Sequence, residues 1–112
     1  MNLSQIVTEL ECDVLVGSAT IPDFDVANVC ACDMMSDVLV VENDNLLLMT
    51  SLTTEQIIRT ADIVGAQAVL VTNGKHPLDK TLQLAREVSV PLLRTKLTTF
   101  EAAVRLGKLL GK

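Results

Sequence analysis

In the second half of the chain, apolar positions form short unbroken runs separated by stripes at helical spacing. Residues 45–50 (NLLLMT), 66–72 (AQAVLVT) and 90–95 (VPLLRT) are apolar runs of strand length, and each ends on a threonine. Between them, TTEQIIRTADIVG places Ile57, Ile58, Ala61 and Val64 on one helical face, with Gly65 as the expected C-cap. LDKTLQLAREV turns Leu78, Leu82 and Ala85 inward, with Pro77 suited to the first helical position. The last stretch, LTTFEAAVRLGKLLG, puts Phe100, Ala103, Val104 and Gly107 on one stripe. Thr53 with Gln56, and Thr98 with Glu101, have the spacing of capping boxes.

The first half is less regular. Leu3, Ile6, Val7 and Leu10 predict a helix over residues 3–11, capped by Asn2 with Gln5. Residues 12–17 (CDVLVG) predict a strand, 18–24 a loop in which Pro22 cannot serve an interior ladder, and 25–31 (DVANVCA) a second strand. Asp33 is placed to cap a short helix through residues 34–41, and 42–45 (ENDN) to turn the chain. Short apolar strands alternating with amphipathic helices imply parallel βα units with right-handed crossovers. The expected fold is α/β: a single domain over residues 1–112, built as a three-layer α/β/α sandwich around a largely parallel sheet.

Composition narrows the classes of function. With 49% hydrophobic residues, 2% aromatics and neither Trp nor Tyr, the core must be aliphatic, as suits strands covered on both faces. A formal charge of −5 and scattered basic residues argue against nucleic acid, which needs clustered Lys and Arg. The near-absence of aromatics removes the usual stacking platform for single strands. No apolar stretch approaches a membrane span, and the acidic N-terminal segment is unlike a secretory signal, so a cytoplasmic protein without membrane contact is expected. Mean hydropathy of +0.42 is high for so small a soluble monomer and favours a homodimer or larger homo-oligomer.

Candidate chemistry gathers where the strands should end. Thr50, Ser51, Thr53 and Thr54 crowd the exit of residues 45–50, and one helix cap needs only one or two hydroxyls. If the strands run side by side, Thr72-Asn73-Gly74-Lys75 and Thr95-Lys96 share that edge, where open α/β sheets place their ligands. Helix N-termini there add positive dipole ends. The set Thr50, Ser51, Thr53, Thr72, Asn73, Gly74, Lys75 and Thr95 therefore suits a phosphate or carboxylate on a small ligand. Helix capping is the competing explanation of the same residues, and neither a phosphate-loop nor a dinucleotide motif is present.

Other candidates read as structural. Arg59 has Glu55 four residues before and Asp62 three after, an ordinary exposed pairing. His76, in a turn before Pro77, lacks a nucleophile motif, and Asp33 with Asp37 reads as a cap and a solvated carboxylate. Cys12, Cys30, Cys32 and His76 could in principle make a three-thiol, one-imidazole metal set, but no C-x-x-C pair is present and buried inert thiols are the simpler reading. No catalytic residues, metal site or cofactor are expected.

The stretch CACDMMSDVLVVENDNLLLMTSLTTEQIIRTADIVGAQAVLVTNGKHP, together with VPLLRTKLTTFEAAVRLGKLL, resembles a stand-alone DRTGG domain over about residues 26–110. That family is similar to the N-terminal domain of HPr kinase/phosphorylase and to modules inserted in some CBS-domain proteins. Where the family has its Asp-Arg pair, this chain has Ser51-Leu52, and Thr-Gly-Gly becomes Thr72-Asn73-Gly74. The resemblance implies an α/β/α domain without catalytic machinery, a regulatory or assembly role, and self-association. It does not carry kinase activity, since the phosphate loop is missing. The expected role is a non-catalytic regulatory or ligand-sensing domain for a small anionic metabolite or nucleotide. The alternatives are a scaffold subunit that binds a protein partner, and a small enzyme using His76, Asp37 or Lys75.

Overall fold

The computed structural model describes residues 2–17, 25–32 and 45–111. Within them the order is α1 (Leu3–Glu9), β1 (Asp13–Val16), β2 (Asn28–Ala31), β3 (Leu46–Thr50), α2 (Gln56–Val64), β4 (Ala68–Val71), α3 (Asp79–Glu87), β5 (Leu92–Arg94) and α4 (Thr99–Leu109). The predicted loop at Pro22 and the predicted helix begun by Asp33, with Asp37 in it, lie outside the described residues.

The five strands form one sheet in the order β1-β5-β4-β3-β2. β2, β3, β4 and β5 run parallel, and β1 closes one edge antiparallel to β5. The expected α/β/α sandwich around a largely parallel sheet is what forms. The second half contributes the continuous parallel core because its strands are apolar throughout: all residues of β3 and β4 are buried. Such runs cannot sit on a sheet with a wet face.

Alternation within each strand divides the core in two. Leu48, Val69, Val71 and Leu92 point to the face covered by Ile57, Ile58 and Ala61 of α2 and Ala85 of α3. Leu47, Met49, Leu70 and Leu93 point to the opposite face, against Leu3 and Ile6 of α1 and Ala102 and Leu106 of α4. The period-2 geometry of a strand makes two cores from one sheet.

The helix starts and faces depart from expectation in three places. Pro77 is not the first helical residue: Leu78 is the N-cap of α3, and 51% exposed, so it is not part of the inner face. Thr81 fills the inward position instead, fully buried, with its hydroxyl donating to the Thr53 carbonyl at 2.7 Å. In α4 the predicted stripe points outward: Phe100 is 76% and Val104 39% exposed, while Ala102 and Leu106 enter the core.

The capping boxes divide likewise. Asn2 donates its backbone N–H to Gln5 Oε1 at 2.9 Å, and Thr98 Oγ1 accepts the Glu101 N–H at 3.1 Å, as predicted. At α2 the N-cap is Glu55, without a side-chain cap, so the Thr53–Gln56 box does not form. Gly65 does end α2 in the left-handed region, with φ of 71°, as its sequence position implied.

Candidate functional site

Since β3, β4 and β5 are parallel neighbours, their carboxyl ends lie on one rim, and Thr50, Thr72 and Thr95 stand there side by side. The Thr72 N–H donates to the Thr50 carbonyl at 2.9 Å, and the Thr95 N–H to the Val71 carbonyl at 2.9 Å. All three threonines are at most 1% exposed. Their hydroxyls are engaged within the chain. Thr50 Oγ1 accepts the Leu52 N–H at 3.1 Å, and Thr95 Oγ1 accepts the Leu97 N–H at 3.2 Å, the same local turn at two strand exits. Thr95 Oγ1 also donates to the Leu10 carbonyl at 2.8 Å, tying the end of α1 to the rim. Thr72 and Thr99 share a hydroxyl–hydroxyl bond of 2.7 Å. A buried polar group costs stability unless it is bonded, and among the described residues no buried side-chain N or O lacks a partner.

The turn after β4 is built by Asn73 and Gly74, with φ of 64° and 66°. Two successive left-handed residues, with the Lys75 N–H reaching the Thr72 carbonyl at 3.4 Å, make a type I′ turn, for which Asn-Gly is the favoured pair. The backbone donors of this turn point into the protein. Asn73 N–H donates to the Leu97 carbonyl at 2.7 Å and Gly74 N–H to the Thr95 carbonyl at 2.9 Å. The outer surface consists of the exposed Asn73 and Lys75, with exposed Lys96 alongside. A Cβ on Gly74 would stand 3.8 Å from Lys96 Cα, so Lys96 lies against the turn that carries Lys75. Ser51 and Thr53, half-buried, complete the rim on the β3 side.

Arg94 holds this turn, a role that its sequence position did not disclose. Its Nε and Nη2 donate to the Gly74 carbonyl at 3.2 and 3.1 Å, while Nη1 meets Asp13 Oδ2 at 3.2 Å. The pairing of Asp13 with Arg94 across β1 and β5 sets this ion pair. Only the antiparallel edge strand, invisible in local pattern, could have revealed it. Thr99 is the second rim residue that sequence reasoning missed; the signal available was its place beside the capping Thr98.

Arg59 pairs with Glu55 at 3.3 Å on an exposed helix face. His76 is solvent-exposed, and Cys12 packs against the α1/α4 core. Burial, then the charge of Asp13, pushes the Cys12 thiol up to about 12. Among the described residues, no group of three or more His, Cys, Asp or Glu could hold a metal ion.

Away from the rim, a groove of about 300 Å³ runs between β2 and α4, over Val29, Ala31, Met49, Ala103, Leu106 and Gly107. Its described lining carries no titratable side chain.

A family model for the DRTGG domain matches residues 5–109. The chain belongs to the DRTGG domain family. The match takes in α1 and β1 as well, beyond the region whose motifs carry the resemblance. The fold is similar to that of the CBS and DRTGG domains of the regulatory region of Clostridium perfringens pyrophosphatase, solved in complex with its activator diadenosine tetraphosphate. The TM-score is 0.68 at 15% identity, over 93% of this chain and 45% of that one. This chain therefore spans less than half of the matched chain, and the likeness is one of fold. A comparison with curated proteins finds no match. Among the described residues, no helix is long and apolar enough to cross a membrane.

Proposed function

We propose that this DRTGG domain is a non-catalytic regulatory module that senses a small anionic metabolite or nucleotide at the carboxyl rim of β3, β4 and β5. The observation that carries this reading is the pair of exposed ammonium groups, Lys75 and Lys96, beside one rigid Asn73-Gly74 turn. They are two exposed cations at neighbouring strand exits on a chain of net charge −5. Division of labour on the rim follows from burial. Thr50, Thr72 and Thr95 fix the strand exits from inside, and Ser51, Thr53, Asn73, Gly74 and Lys75 offer the contacts. The fold's likeness to a regulatory region crystallised with a dinucleotide activator supports the nucleotide class over other anions.

The test is a thermal-shift screen with mononucleotides, dinucleoside polyphosphates and small phosphorylated metabolites. A ligand at about 100 times its dissociation constant adds about 2.7 kcal/mol, readily seen in a domain this small. Lys75→Ala abolishes the shift and Arg59→Ala, on an exposed helix pair elsewhere, leaves it. A screen without any hit, combined with a stable protein complex recovered by pull-down, returns the scaffold reading instead.

We further propose that the module works as a homodimer through the outer face of α4. Phe100 and Val104, one helical turn apart, are an exposed apolar pair beside the apolar groove. A large apolar patch left in water marks an interaction site more often than chance exposure. Light scattering after size exclusion decides this point: a strict monomer at micromolar concentration removes the dimer.

A further inference from the structure

Cys30 and Cys32 stand two residues apart at the carboxyl end of β2, and their sulfurs touch at 3.1 Å. Strand alternation puts both on one face of the sheet, where they pack half-buried against the α2/α3 core. Cys12 packs on the opposite face, with the α1/α4 core. The sheet thus separates Cys12 from the other two thiols and leaves one intramolecular pairing open to the chain.

We propose that Cys30 and Cys32 are a redox-active dithiol, closed to a disulfide by a low-molecular-weight disulfide such as oxidised glutathione. One thiol, deprotonated, attacks a sulfur of the external disulfide, forming a mixed disulfide and releasing one equivalent of reduced thiol. The second cysteine loses its proton and attacks the protein sulfur of that mixed disulfide, expelling the second equivalent. In sum, two cysteine thiols and one external disulfide become one Cys30–Cys32 bond and two external thiols. Two electrons pass from the protein to the oxidant.

Geometry makes the bond closable but strained. Residues two apart in a strand have Cα atoms roughly 6.4–6.8 Å apart, the upper end of the separation a disulfide tolerates. Closing the ring draws Cys32 toward Cys30, and so away from the hydrogen bond that its N–H makes to the Met49 carbonyl at 3.1 Å. That bond lies at the carboxyl end of the β2–β3 pairing, one residue before Thr50. Oxidation therefore loosens the strand next to the candidate ligand rim. A strained disulfide is also readily reduced, as a reversible switch requires.

The test treats the full chain with excess oxidised glutathione, alkylates it under denaturing conditions and maps the cysteines by peptide mass. Before alkylation the expected product is lighter than the reduced chain by two hydrogen atoms; after it, Cys12 is alkylated and Cys30 and Cys32 are blocked within one peptide. Reduced glutathione restores both to alkylation. In Cys32→Ser, which lacks the resolving thiol, Cys30 stops at a single glutathione adduct. Amide exchange at Cys32 speeds up on oxidation of the wild-type chain, while that at Leu70, in the sheet centre, is unchanged. Full alkylation of Cys30 and Cys32 at saturating oxidant, a bond to Cys12, a bond between two chains, or stable glutathione adducts on both residues overturns the proposal. None of these readouts involves a ligand at the rim, so they stand or fall separately from the sensing function.

Discussion

Helices α2 and α4 cover opposite faces of the same sheet, and they use their apolar residues differently. In α2 the stripe readable from spacing is the stripe that is buried: Ile57, Ile58 and Ala61 enter the core and Arg59 stays on the wet side. In α4 the readable stripe, Phe100, Ala103, Val104 and Gly107, faces outward, and the core takes Ala102 and Leu106 from a neighbouring face. α4 therefore carries two apolar faces where α2 carries one. Periodicity identifies a face that avoids water, but it does not say whether the chain itself or another molecule covers that face.

The sharpest way to break this contrast is to truncate each core face in turn. Ile58→Ala and Leu106→Ala should each destabilise the fold by about 2–5 kcal/mol in urea unfolding, as deletions at sites almost wholly shielded from water do. An effect under about 1 kcal/mol for Leu106→Ala would mean that the inward face of α4 is misassigned. Helix caps come next in size. Thr98→Ala, which removes a cap seen at 3.1 Å, should cost about 1 kcal/mol. Thr53→Ala, which removes no cap, should fall well short of that.

Smaller still is the outer pair of substitutions. Phe100→Glu should change the stability of the monomer by no more than about 0.5 kcal/mol yet dissociate the proposed dimer in light scattering; Arg59→Ala should leave both unchanged. A dimer that survives Phe100→Glu would place self-association on another face.

The last effect appears only in alkali. The Cys12 thiol ionises at about 12 in the fold against a reference value of 9.0, chiefly because burial penalises the thiolate. Above pH 9 the unfolded chain releases this proton while the folded chain keeps it, so the unfolded state gains. The contribution is whole below pH 9 and declines as pH climbs toward 12. Cys12→Ala should flatten the stability profile in that window, measured by urea midpoints across the range. No flattening would remove Cys12 from the α1/α4 core.

Much of the rim was legible in the sequence for one reason: parallel strands end on the same side, so three apolar runs that each close on threonine must bring Thr50, Thr72 and Thr95 together. Spacing could not show what those hydroxyls bond. Thr95 spends its proton on Leu10, 85 residues away, and Thr72 meets Thr99 across 27. Arg94 was overlooked for the same reason. Its partners Gly74 and Asp13 come from a turn and an edge strand whose antiparallel direction no local pattern reports.

By itself the sequence determined the layers. Unbroken aliphatic runs cannot be left half wet, so they demanded a sheet with helices on both sides, and Gly65 and Thr98 marked two helix ends by local chemistry. Only the tertiary structure decided which face of α4 goes inward, which partners the buried rim hydroxyls take, and that Cys30 and Cys32 meet on the side of the sheet away from Cys12. Those outcomes depend on which elements become neighbours in space. That is set by burial summed over the whole chain, whereas periodicity and capping act within a few residues.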